Sequence, residues 1–421
     1  MPKSAPIRWI QSLLKSLGPG IITGAADDDP SGIATYSVAG AQLGTTLLWT
    51  ALLTWPLMAA VQIMCARIGK VTGQGLAGNI KLLFPQWLLL SFVIALLIAN
   101  TINIGADLAG MADAAAMLSG VNSHWFVVCF AILISWATVW LQYKQIANVL
   151  KWLVLVLFAY PITAFVVGAN WSQVLRDTFI PALPHSRDEW ATLVAILGTT
   201  ISPYLFFWQA SEEVEEEKSE GQSTLAQRKG ATAEELQLRN IDVGVGAFFS
   251  NTVMFFIILT TAITLNRHGI VNIQTSREAA EALRPFAGSF AATLFTLGIV
   301  GVGFLAIPTL AGSAAYAFAE TLGWRQGLSK QLRQARWFYA LILVSTGVGV
   351  ALDFIGINPV KALYWTAVIN GLLAPFLLVA ILIVAGNKKL MHGQPSSRIG
   401  WVVVAITTAA MFAAGVAMFV V

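Results

Sequence analysis

Residues 18–32 read Gly-Pro-Gly-Ile-Ile-Thr-Gly-Ala-Ala-Asp-Asp-Asp-Pro-Ser-Gly, placing three consecutive carboxylates and a proline–glycine break at the head of a very apolar chain. A charged side chain near the centre of a bilayer costs about 3 kcal/mol, so three together are retained only where they have a task. Proline removes a helical donor and, with the glycines, stops a helix, which leaves backbone carbonyls free to meet a cation. Carboxylates beside unwound carbonyls have the chemistry of a metal-ion site.

The rest of the chain fixes the setting. Its 421 residues are 57% hydrophobic and 11% charged, with a mean hydropathy of +0.72. Soluble domains carry about 25% charged residues, so this is a polytopic membrane protein. Eleven stretches are predicted to span, near 19–43, 46–68, 87–118, 123–142, 148–168, 190–211, 242–265, 286–320, 337–353, 359–385 and 400–420. The first and sixth score poorly on hydropathy because polar and helix-breaking residues interrupt them.

With the N-terminus cytoplasmic, only Arg176, Arg187, Arg267, Arg277, Arg284 and Lys361 of the 25 basic residues fall on the outer side. That bias supports the eleven-span count and places the C-terminus outside. The net charge of +4 then reflects topology and gives no reason to expect nucleic acid as a partner. No cleavable signal peptide is expected; residues 1–17 read as a short amphipathic lead-in helix carrying Trp9, Ile10, Leu13 and Leu14. The expected location is a bacterial inner (plasma) membrane, with the lipid bilayer as surroundings. Cys65 and Cys129 sit on different spans and indicate neither a disulfide nor a metal cluster.

The longest polar stretch, 212–239, reads as a solvated extension of span six followed by a cytoplasmic loop. No linker separates soluble domains, so residues 1–421 form one membrane domain. Span six breaks at Gly198-Thr199-Thr200-Ile201-Ser202-Pro203-Tyr204, five spans after the break in span one. A five-plus-five arrangement with the first helix of each half broken is the pattern of inverted-repeat secondary transporters. The repeats would cover about 18–168 and 190–385, with an extra helix at 400–420. An odd repeat length inverts the second half, so the two breaks can meet at the midplane and offer carbonyls to a cation.

The run Asp29-Pro30-Ser31-Gly32-Ile33-Ala34-Thr35, followed by Ala39-Gly40-Ala41-Gln42, resembles the Asp-Pro-Gly-Asn first-helix signature of the natural resistance-associated macrophage protein (NRAMP) family. The resemblance implies an all-α membrane protein of eleven transmembrane helices with a LeuT-like fold, and transport of divalent metals. By position, Asp29 matches the family's metal-binding aspartate and Ala26 the residue whose carbonyl faces the ion; Gly32 stands where the family has asparagine. In span six, Thr199 would supply a carbonyl, Ser202 replaces the metal-binding methionine, and Tyr204 replaces a histidine. Gly105-Ala106-Asp107-Leu108-Ala109-Gly110 resembles the family's span-three motif, keeping Asp107 and losing a glutamate at Gly110.

These departures carry chemical weight. A thioether favours soft or borderline transition metals, and serine offers a hard oxygen in its place. Gly32 deletes an amide ligand and widens the pocket. A roomy oxygen-lined site suits Mg²⁺, which gives up its waters reluctantly, although Mn²⁺ also takes oxygen ligands. The pattern is similar to the NRAMP-related magnesium transporters. Successive side chains on a helix point about 100° apart, so Asp27, Asp28 and Asp29 cannot all face one ion on regular helix. Asp28 is a candidate ligand and Asp27 a candidate for the access path, with a solvated vestibule edge as the alternative for both. Like charges so close resist simultaneous ionisation, so one could hold a proton. Asn370, before Gly371 in span ten, stands near where the family places a polar residue facing the metal, or bonds a neighbouring helix. Asn100 and Asn103 line an aqueous route or bond to adjacent helices; Asp113 and Glu320 mark span ends or polar contacts.

The expectation is therefore a secondary transporter importing divalent cations, leaning to Mg²⁺ and not strictly coupled to protons. The metal is its substrate, and no cofactor is called for. Three rivals stand beside it: a proton-coupled Mn²⁺/Fe²⁺ importer, a sodium-coupled organic-solute carrier of the same fold, and a metal-sensing receptor. No catalytic constellation or nucleotide-binding motif points to an enzyme or an ATP-driven pump.

Overall fold

The computed structural model describes residues 23, 24, 26–141 and 155–421; the lead-in helix expected at 1–17 and the first part of span five lie outside the described residues. All regular secondary structure among the described residues is helical, with no strand. This is what a hydrocarbon environment demands, since a helix satisfies its backbone internally. The principal helices are α1 (Pro30–Leu43), α2 (Leu48–Thr72), α3 (Gln86–Ser119), α4 (Ser123–Trp140), α5 (Ala159–Val167) and α6 (Arg187–Thr200). They continue as α7 (Pro203–Ser219), α8 (Ala233–Thr264), α9 (Ala291–Leu322), α10 (Arg336–Asp353), α11 (Pro359–Gly386) and α12 (Arg398–Val420).

Among the described residues, nine helical stretches are long and apolar enough to cross a membrane, counting α6 and α7 as one broken span. The other two of the eleven spans are the interrupted first, ending in α1, and the fifth, ending in α5. The span formed by α6 and α7 lies at the centre: 94% of its most apolar stretch is buried, against 22% for α4 on the periphery. α1 packs on α6, α8 and α11, while α3 packs on α9, α10 and α11. α6 and α11 approach closely. A Cβ on Gly198 would stand 2.1 Å from the Ala367 carbonyl and 2.2 Å from the Gly371 nitrogen, so only glycine lets these backbones touch.

Both broken spans restart in the same way. Asp29 caps α1 with its side chain and Pro30 takes the first helical position; Ser202 stands at the N-cap position of α7, without a side-chain bond to it, and Pro203 takes the first position there. Proline suits that place because its missing N–H would have no helical partner anyway.

The polar stretch 212–239 departs from its expected character. α7 does run on to Ser219, but Glu212, Glu213 and Glu217 are buried. Arg239 on α8 pairs with Glu213 and Asp242, each at 2.9 Å, and with Glu216. Lys70 on α2 stands 3.7 Å from Glu217. Two cations thus face four carboxylates across three helices, and the helices pack where solvation was expected. α8 also begins earlier than hydropathy indicates, at Ala233, because Thr232 and Glu235 form a reciprocal capping box.

Candidate metal centre

The break in span one falls at Asp28 and Asp29, between helical residues at 26–27 and the start of α1. Asp29 Oδ1 accepts from the Gly32 amide at 2.7 Å and from Ser31 Oγ at 2.6 Å, which fixes the carboxylate over the first turn of α1. Its Oδ2 accepts from Asn103 Nδ2 on α3 at 3.1 Å, and the same amide lies 3.4 Å from Asp107 Oδ2. Asp27 and Asp28 turn the other way. Ser250 Oγ on α8 stands 2.6 Å from Asp27 Oδ2 and 3.1 Å from Asp28 Oδ1. The triple aspartate is therefore divided, with one carboxylate toward α3 and two toward α8.

Proline at position i withholds the hydrogen bond that the carbonyl at i−4 would accept in a continuous helix. Pro30 releases Ala26 in this way, and Pro203 releases Thr199. Both carbonyls have found side-chain donors. Tyr204 Oη donates to the Ala26 carbonyl at 3.0 Å, and Ser202 Oγ lies 2.6 Å from the Thr199 carbonyl and 2.8 Å from that of Gly198. A carbonyl oxygen has two lone pairs, so each keeps acceptor capacity.

The two breaks meet at Gly32. A Cβ built there would lie 3.1 Å from Thr199 Oγ1, 3.5 Å from the Asp27 carbonyl and 3.5 Å from Asp29 Oδ1. Oxygens from both broken spans thus surround a space that any larger residue would enter. Tyr36 Oη on α1 reinforces the junction at 3.1 Å from Thr200 Oγ1. Asn370 is buried on α11 beside Gly371, whose backbone contacts α6.

Asp27, Asp28, Asp29 and Asp107 are all buried, and among the described residues none forms an ion pair with Lys or Arg. Of the side-chain oxygens of these aspartates and of Asn103 and Asn370, five lack a hydrogen-bond partner: Asp27 Oδ1, Asp28 Oδ2, Asp107 Oδ1, Asn103 Oδ1 and Asn370 Oδ1. Each is an acceptor, and unpartnered buried acceptors together are costly unless a cation or a proton meets them. Among the described residues no three His, Cys, Asp or Glu side chains converge on one point. Any ion held here must draw on carbonyls, hydroxyls and water as well as carboxylate.

Three participants were not legible as such in the sequence. Ser250 serves two aspartates from more than two hundred residues away. Asn103 bridges Asp29 to Asp107, the bonding alternative of its sequence reading. Met254 on α8 places its sulfur 3.7 Å from Thr200 Oγ1 and 3.9 Å from Thr54 Oγ1. Other polar residues brace helices: Asn100 donates to the Leu310 carbonyl, Asp113 accepts from the Ser276 amide, and Glu320 accepts from the Gly78 amide.

A family model described as natural resistance-associated macrophage protein-like matches residues 20–421. Over 420 residues the chain is 28% identical to the divalent metal cation transporter MntH of Caldanaerobacter subterraneus subsp. tengcongensis, covering 94% of this chain and 91% of that protein. A solved Eremococcus coleocola manganese transporter, in complex with an aromatic bis-isothiourea substituted compound, superposes with a TM-score of 0.77 at 16% identity. The match covers 99% of this chain and 89% of the other. Mhp1, a nucleobase-cation-symport-1 family transporter in a closed conformation, gives a TM-score of 0.60 at 12% identity, over 96% of this chain and 90% of its own.

Proposed function

The chain belongs to the natural resistance-associated macrophage protein-like family, and from that membership and the geometry at the two breaks we propose that it imports divalent metal cations by alternating access. Asp29 supplies the anionic ligand. Thr199, Ala26 and Ser202 supply neutral oxygens, and Gly32 leaves room for part of the ion's water shell. Asp28 lies at the edge of the site, with Asp27 and Asn370 along its approaches. The halves of spans one and six would rock against a scaffold of the other helices, exposing the site to each side in turn. The observation that carries this reading is the convergence at Gly32 of Asp29 Oδ1, the Asp27 carbonyl and Thr199 Oγ1 from two broken helices.

The donor set leans toward Mg²⁺. Ser202 offers oxygen where a thioether would select softer ions, and the Met254 sulfur lies against two threonine hydroxyls. The membrane potential suffices as a driving force, since each charge moved through 100 mV is worth about 2.3 kcal/mol and a divalent ion carries two. Uptake into proteoliposomes, compared for Mg²⁺, Mn²⁺ and Ca²⁺ with internal pH recorded, tests the proposal. Potential-driven Mg²⁺ entry supports it. Mn²⁺ entry with matched acidification would favour the proton-coupled importer, and no metal entry would leave a receptor or a solute carrier.

A further inference from the structure

We propose that the groove between α2, α8 and α12 is a binding site for an anionic glycerophospholipid, its phosphate on Arg67 and an acyl chain running toward Trp55 and Phe248. This site faces the bilayer, away from the central breaks, and stands independently of the transported ion. The groove encloses about 690 Å³. Its walls include Trp55 and Ile63 of α2, Phe248 of α8 and Val403 of α12, with Arg67 at one end. From Arg67 to Trp55 is twelve residues of one helix, roughly 18 Å at 1.5 Å per residue. Half of a bilayer's hydrocarbon is about 15 Å thick, so the groove runs the depth of one leaflet.

The mouth is built for an anion. Among the described residues lining the groove, Arg67 is the single basic one and none is acidic. Its Nε donates to the Gln394 carbonyl at 3.1 Å, which holds the guanidinium in place. No described residue accepts from its two terminal nitrogens, the pair that grips a phosphate. Ser396 Oγ, in the same mouth, is buried and lacks a hydrogen-bond partner, although its backbone is tied to the Ala385 carbonyl at 3.0 Å. Beside it, the first turn of α12 begins at the Ser397 cap, and amides at a helix start favour an anion. A free phosphate would use this mouth but not the apolar walls, and the two together match a lipid. Basic pockets between transmembrane helices recognise anionic headgroups by the same logic.

Gly244 provides a steric test. It lines the groove, and a Cβ there would meet no atom within 4 Å, so a larger side chain fills the groove without disturbing the helix contacts. The full-length protein, stripped of lipid in detergent, is titrated with phosphatidylglycerol, phosphatidylcholine of the same chains, or inorganic phosphate, and bound adducts are counted by native mass spectrometry. Phosphatidylglycerol should bind about tenfold more tightly than phosphatidylcholine. Arg67→Gln should erase that preference while keeping the weaker binding. Gly244→Leu should reduce binding of both lipids about tenfold, whereas Val344→Leu, on the exposed face of α10, should change neither. Each variant decides alone if the other fails to fold. Equal binding of the two lipids by the wild type, undiminished binding by Gly244→Leu, or competition by inorganic phosphate alone would overturn the proposal. So would a wild-type dimer that Gly244→Leu dissociates, since a second copy would then occupy the groove.

Discussion

The phenol of Tyr204 donates to the carbonyl of Ala26 at 3.0 Å, and so fastens the second half of span six to the first half of span one. The carbonyl is available because Pro30 supplies no amide to it. A tyrosine at this place acts as a clasp across the site, holding one lone pair of an oxygen that the ion would otherwise share.

Tyr204→Phe should retain metal uptake while loosening the junction between spans one and six. Removing the hydroxyl leaves a buried carbonyl short of a partner, at a cost of about 1–3 kcal/mol. The melting temperature in detergent should fall, and the apparent affinity for the metal should change while transport persists. Complete loss of uptake by a folded Tyr204→Phe protein would show that the phenol has a role in the transport step itself.

Asp29→Asn should remove most divalent-ion uptake from a protein that still folds. An amide keeps an oxygen toward the ion but supplies no charge to offset its dehydration. The amide would also set an N–H₂ group against donors at Ser31, Gly32 or Asn103. Uptake measured on equal amounts of reconstituted protein decides; near-normal rates would take Asp29 out of the site.

Ser202→Met should move the preference toward Mn²⁺ or Cd²⁺ and weaken Mg²⁺ transport. The thioether adds a soft donor and occupies room that a partly hydrated ion needs. It also removes the hydroxyl that now lies 2.6 Å from the Thr199 carbonyl. An unchanged order in competition assays would show that this side chain keeps to the carbonyls of its own helix.

Much of the fold was legible because hydrocarbon imposes a simple rule: long apolar runs must be helices, and a broken run needs a reason. Asp29-Pro30 and Ser202-Pro203 announced the two restarts directly, and both were found as cap and first residue. What the sequence could not convey was direction. Asp27 and Asp28 reach α8 while Asp29 reaches α3, a division decided by Ser250 and Asn103, which are distant in sequence. The glutamates after residue 211 misled for a related reason. A charge run reads as solvated until its counter-charges, here Lys70 and Arg239 on other helices, are brought against it.

Arg239→Gln should destabilise the protein by about 3–5 kcal/mol, because it strands Glu213 in a buried position without its partner. Adding Glu213→Gln should recover much of the loss, since the uncompensated charge is then gone. Thermal unfolding of the single and double variants in detergent provides the comparison. Equal stability of Arg239→Gln and the wild type would mean that Lys70 and water already balance the cluster.

Metal transport should proceed without stoichiometric proton uptake. A coupled carrier needs groups that bind and release protons on a path apart from the metal. At the span-six position Tyr204 holds a phenol, which keeps its proton through the neutral range and here spends it on the Ala26 carbonyl. The span-three carboxylate pair is reduced to Asp107. At Gly110 a Cβ would stand 2.7 Å from Leu363 Cδ1, so the space for a second carboxylate is filled by an apolar side chain from α11. Asp107 itself meets Asn103, which also bonds Asp29, so this link leads back to the candidate metal centre. A pH-sensitive dye trapped in proteoliposomes, with the membrane potential clamped, should report no acidification as Mg²⁺ or Mn²⁺ enters. Metal-dependent acidification that disappears in Asp107→Asn would reverse this conclusion, and would make Asp107 the proton carrier of a coupled importer.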